Sequence, residues 1–222
     1  MEVLLRNWNS NDWITLLLMG CLVLIALVHF LYPRRFREFL LLPITDTYFH
    51  VQGKEGGLTH PFNLMLWLMQ LIAVALFIYI AADLFPGFDR SDQDLTYLTV
   101  LSAYTAFVGF KFTTETLVSK ALNIEPVIEN YLYRKLTYRN LIALALLVSA
   151  VIFTYTLPPE PVYIWTIIGL VLLVNVLMLF YTYKSMNRLI LSNFFYFILY
   201  LCALEISPYF ILYKVFMSEG VF

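Results

Sequence analysis

The sequence is poor in the residues on which most chemistry depends. Two cysteines, three histidines and 13% charged residues serve 222 positions, against roughly 25% charged in an average soluble domain. It contains no GxSxG turn, no glycine-rich phosphate loop, no HExxH and no CxxC. No enzyme is nominated, and no cofactor or metal site is expected. An excess of charge of either sign is also missing: the formal net charge is -1 and the pI about 6.3, which gives no electrostatic case for nucleic acid. Cys21 and Cys202 both fall inside apolar runs, where a buried thiol behaves as a small hydrophobe, so no disulfide is expected.

What the chain has in abundance is apolar surface. It is 61% hydrophobic and 18% aromatic, with a mean hydropathy of +0.78. Repeated apolar runs of about 20 residues match the length that crosses ~30 Å of hydrocarbon. The expected fold is all-α, a polytopic transmembrane helix bundle of about six spans, near 14–32, 61–84, 95–117, 140–157, 161–183 and 191–215. Met1 to Trp13 is polar, with Glu2 and Asp12, and Ile14 to Tyr32 is long enough to span; it reads as a retained helix rather than a cleaved signal. Pro61 and Pro161 suit first turns, where a missing N–H is not needed.

Basic residues set the expected threading, because positively charged loops stay in the cytoplasm. Arg34, Arg35, Arg37 and Lys54, then Lys120, Arg134, Lys135 and Arg139, then Lys184 and Arg188 place ten of the 14 Lys and Arg on one side. Loops 33–60, 118–139 and 184–190 are thus expected inside and both termini outside, in the periplasm of a bacterium. Trp8, Trp13 and Trp165 fall at the expected outer interface, where indole rings favour the headgroup level.

Two cytoplasmic segments read as short interfacial helices. EPVIENYLYRKLTYRN, 125–140, spaces Ile128, Leu132 and Leu136 four apart, with Arg134, Lys135 and Arg139 nearby; PRRFREFLLLP, 33–43, carries Arg34, Arg35 and Arg37. These cations are candidate contacts for lipid headgroups or for another membrane protein.

Ionisable residues within spans are functional candidates by default. Lys111 and Glu115 form an i, i+4 pair near the cytoplasmic end of the third span, with Lys111 expected to snorkel toward that interface. Glu205 lies in the sixth span beside Pro208, whose ring crowds the Leu204 carbonyl and frees an acceptor that a protonated acid can reach. Ser102, Tyr104 and Thr105 lie at similar depth. Gln70 and Asn175 read as cross-helix hydrogen-bonders. His29, His50 and His60, with Asp46 and Glu55, match no compact metal motif.

The run NRLILSNFFYFILYLCALEISPYFILYKVF, 187–216, resembles the C-terminal signature of an uncharacterised domain-of-unknown-function family of small inner-membrane proteins of Bacteroidota. The resemblance rests on Leu204, Glu205, Ile206, Pro208 and Lys214. It implies the inner membrane and supplies no activity. The leading functional expectation is a non-enzymatic accessory or scaffold subunit of an envelope complex. Alternatives are a small proton-coupled transporter or channel using Glu205, and a membrane enzyme acting on a lipid or isoprenoid.

Overall fold

The computed structural model describes residues 12–42, 60–82, 93–121, 125–157 and 160–185. They form six helices and, among the described residues, no strand: α1 Asp12–Leu31, α2 Pro33–Leu40, α3 Pro61–Ala81, α4 Gln93–Ala121, α5 Glu125–Tyr155 and α6 Pro161–Ser185. Four contain stretches long and apolar enough to cross a membrane: Asp12–Leu31, Pro61–Ala81, Tyr131–Tyr155 and Pro161–Met178. The all-helical bundle expected from composition is therefore what forms. The expected span 95–117 lies within α4, and 191–215 lies outside the described residues.

Helix starts follow local chemistry. α3 opens on His60, whose backbone is extended and whose Nδ1 accepts the Phe62 N–H at 3.2 Å, while Pro61 occupies the first turn. The Glu160 carbonyl, before Pro161, accepts from the amides of Tyr163 and Ile164 at 3.1 and 3.3 Å. Between Val127 and Tyr155 there is neither glycine nor proline. With no breaker, 125–155 runs as one helix of 31 residues, about 46 Å at 1.5 Å per residue. This corrects the expectation of a separate interfacial helix at 125–140. Tyr131, Leu132, Tyr133, Thr137 and Tyr138 are buried in the bundle, so the segment packs on neighbouring helices instead of lying along a headgroup layer. The segment 33–43 also forms a short helix, α2, with Phe36 and Phe39 buried, Leu42 buried just beyond it, and Arg34 and Arg37 exposed.

α3 is the centre of the bundle, contacting α1, α4 and α5. Of its most apolar 18 residues 56% are buried, against 6% in α6. Apolar burial gives little driving force between helices in lipid; close packing and polar contacts hold them. Ala73 and Ala75 on α3 and Ala143 and Ala150 on α5 are fully buried, small residues of the kind that let backbones approach. One end of the bundle closes with Trp13 edge-on to Tyr79 at 5.3 Å and against Tyr97 at 5.2 Å, and with the Tyr155 hydroxyl donating to Thr15 Oγ1 at 2.7 Å. The other closes with Tyr32 T-stacked on His60 and Phe62, and Phe39 T-stacked on Phe62.

Candidate functional site

Polar side chains collect between α3, α4 and α5. In antiparallel α3 and α4, Gln70 meets Tyr104; the Gln70 Nε2 donates to the Tyr104 hydroxyl at 3.1 Å. Arg139 of α5 donates to the same oxygen at 3.2 Å. One phenol thus ties three helices together near the middle of the bundle. The cross-helix role expected of Gln70 is met. Gln70 Oε1 and both side-chain polar atoms of Asn140 have no hydrogen-bond partner among the described residues, although Gln70 is fully buried and Asn140 is 1% exposed.

About three turns further along α4, Glu115 Oε1 takes the Lys135 ammonium at 2.8 Å. The side chains are 3% and 14% exposed, so this ion pair is buried. Lys135 also stands 5.5 Å above the Tyr131 ring, a second favourable environment for its charge. Lys111, one turn before Glu115, is buried at 9% exposure; its stem is enclosed by the bundle rather than laid along its outside. Glu115 thus pairs with the neighbouring helix, a relation that i, i+4 spacing within one helix does not display.

Lys111, Glu115, Lys135 and Arg139 line one cavity of about 360 Å³, closed by Asn63, Leu64 and Trp67 of α3, Val108, Gly109, Phe112 and Thr113 of α4 and Leu132 and Leu136 of α5. The hydroxyls of this part of α4 are internally satisfied. Thr113, Thr114 and Thr116 donate to the carbonyls of Gly109, Phe110 and Phe112 at 2.8 to 2.9 Å, which removes their need for water.

Other expected residues fall elsewhere. Arg34 and Arg37 are exposed on α2 and Arg35 is half-buried. Arg134 is half-buried on α5, whereas Lys135 and Arg139, read from sequence as headgroup contacts, reach into the bundle. Asn175 Nδ2 donates to the Val171 carbonyl of its own helix at 2.9 Å, not across to another, because α6 touches the bundle sparsely. Ser102 Oγ likewise donates within its helix, to the Thr99 carbonyl at 2.9 Å. Glu205, Pro208 and Lys214 lie outside the described residues, as do His50, Asp46 and Glu55. His29 stacks on Phe36 and His60 on Tyr32, and among the described residues no group of three or more metal-ligating side chains comes together. Burial, aided by the positive charge of Arg35, pushes the His60 imidazole below its usual pKa. Sequence reasoning missed Asn63, Trp67, Thr137 and Asn140. The signal for the two asparagines was present, since an amide in an apolar run demands a partner.

Helices of this length and apolarity, joined through buried charges, define a multi-pass helical membrane protein. Residues 14–216 match a family model described as Domain of unknown function (DUF4271), and the chain belongs to that family. No curated protein and no solved structure matches it.

Proposed function

We propose that the chain is a six-span protein of the bacterial inner membrane, with both ends outside and its arginine-rich connections inside, serving as a non-enzymatic accessory or scaffold subunit of an envelope complex. The supporting observation is how the buried polar groups are used. Glu115 closes on Lys135 across α4 and α5, and Tyr104 gathers Gln70 and Arg139 from α3 and α5. Each contact joins different helices, and none forms a nucleophile beside a base. Charges spent in this way fix helix register and leave α2, with Arg34 and Arg37 outward, as a basic docking edge.

Native-size analysis in mild detergent tests the reading. A complex of defined mass containing other envelope proteins, lost in Arg34→Glu/Arg37→Glu while the chain remains folded, is the expected result. A lone chain that complements its deletion strain unaided overturns it. The second reading, a proton-coupled carrier, turns on Glu205; Glu205→Gln retains hydrogen bonding without titrating, so full function in that variant eliminates it.

A further inference from the structure

Arg139 carries a charge deep in the bundle without an acid to balance it. Gln70 is the tenth of the 21 residues of α3, so its contact with Tyr104 marks the middle of that span. Arg139 donates to the same hydroxyl at 3.2 Å, and that partner is a neutral phenol. Glu115 is the only acid among the described residues that line the cavity, and its carboxylate is held by Lys135 at 2.8 Å. Among the described residues Arg139 therefore has no carboxylate. Charges inside a membrane protein are ordinarily paired with one another or with backbone carbonyls, and a half-buried guanidinium that gives one of its five N–H donors to Tyr104 is equipped to take an anion.

The cavity joins this guanidinium to the lipid-facing side of the bundle. Its volume, about 360 Å³, lies within the range of roughly 300–1,000 Å³ usual for small-molecule sites. Much of its wall is apolar, with Leu64, Trp67, Val108, Phe112, Leu132 and Leu136. The Thr113 hydroxyl on that wall is already given to the Gly109 carbonyl at 2.8 Å. Counted at 1.5 Å per residue from the Gln70–Tyr104 contact, Leu64, Gly109 and Phe112 lie about 9, 8 and 12 Å toward the α2 end, inside the half-thickness of ~15 Å of a hydrocarbon layer. Leu64 and Phe112 are 54% and 46% exposed, and a Cβ built on Gly109 meets nothing within 4 Å. In a bilayer this gap faces acyl chains. The Glu115–Lys135 pair stands about 16 Å from the same contact, at the headgroup boundary.

We propose that the cavity binds a long-chain carboxylate, a free fatty acid taken from the bilayer, with its carboxylate on Arg139 and its acyl chain leaving between Leu64 and Gly109. A guanidinium fork matches two carboxylate oxygens, and one monoanion balances one guanidinium. Depth selects this head. A phosphodiester tied to glycerol and two chains stays at the headgroup boundary, whereas a carboxylate ends a single chain and follows it inward. The site is independent of the accessory role proposed above.

The test is a titration of the purified full chain in mild detergent with palmitate and, separately, with hexadecanol, at about pH 9, above the carboxyl range, read by native mass spectrometry. One palmitate bound at least about tenfold more tightly than hexadecanol is expected, the worth of a charge-assisted hydrogen-bonded pair. Arg139→Gln keeps a donor for Tyr104 and brings the two ligands to equal affinity. Arg139→Lys, with the charge but not the fork, keeps part of the preference. Gly109→Phe alters no charge and fills the mouth; it weakens palmitate binding at least about fivefold and carries the test if the Arg139 variants fail to fold. Equal affinity of the unaltered chain for palmitate and hexadecanol overturns the proposal, as does unchanged palmitate binding in Gly109→Phe or a full preference in Arg139→Gln. Displacement of palmitate by butyrate at equal concentration also overturns it, since the site would then serve a carboxylate arriving from water.

Discussion

Replacing Glu115 by glutamine isolates the buried ion pair with almost no change in shape. At 2.8 Å two unit charges attract by about 6 kcal/mol at an effective dielectric of ~20. Part of that is returned on substitution, because Glu115 no longer has to be desolvated and the amide oxygen still accepts from Lys135. Three further features limit the recovery: Lys135 is only 14% exposed, Lys111 is buried one turn away, and Arg139 lines the same cavity. The variant leaves three cations facing each other without an acid among the described lining. Breaking a buried pair on one side typically costs about 3–5 kcal/mol, and that range is expected for Glu115→Gln. The assay is reversible unfolding in mixed micelles, carried out for Glu115→Gln, Lys135→Met and the double variant. The double variant is expected to recover at least half of the loss, since no unpaired charge remains in that pair. A loss under about 1 kcal/mol in Glu115→Gln, the value of an exposed pair, refutes the burial on which the reasoning stands.

Other outcomes follow from the same contacts. Tyr104→Phe removes an acceptor shared by buried Gln70 and half-buried Arg139 and is expected to destabilise by about 1–3 kcal/mol, since both donors lose their partner; a loss under about 0.5 kcal/mol in the same unfolding assay contradicts the network. His60 has a lowered pKa in the folded chain, so its neutral form is the one that folding favours. Its contribution is complete above the ordinary value of 6.5 and is lost as pH falls below that through the lowered value. Thermal stability should therefore drop over that acid range in the native chain and less in His60→Asn, where a neutral cap replaces the imidazole; parallel profiles contradict it. Gly169 lies in the middle of α6 with nothing within 4 Å of a built Cβ, so Gly169→Ala is expected to stabilise by roughly 0.5–1 kcal/mol. Destabilisation there would mean that another surface packs on this face of α6.

Much of the fold was legible because bilayer thickness imposes a length on every apolar run. The runs beginning at Pro61 and Pro161 emerge as helices with those prolines in the first turn. The join at residue 140 was not legible: Arg134, Lys135 and Arg139 marked a polar segment, and polarity was read as a boundary. The backbone obeys the absence of a breaker instead, and two of those cations turn inward to Glu115 and Tyr104. Helical spacing reports neighbours on one helix alone, which is why the contact of Glu115 with Lys135, twenty residues away, was not legible. Gln70 was legible as a hydrogen-bonder but its partner was not, since the register of α3 against α4 is a tertiary fact. On α2 the burial of Phe36 and Phe39 against exposed Arg34 and Arg37 was not drawn from the sequence, where only the cations of 33–43 were singled out.

The threading carries the rest of the account, and cysteine labelling in intact cells tests it most directly. In a Cys21→Ala/Cys202→Ala background, Arg37→Cys and Glu160→Cys each present an exposed thiol at opposite ends of the bundle. A membrane-impermeant maleimide is predicted to label Glu160→Cys from outside and to reach Arg37→Cys only after the membrane is opened. Labelling of Arg37→Cys in intact cells with Glu160→Cys protected would contradict the proposed orientation, and labelling of both would contradict a chain that crosses the membrane between them.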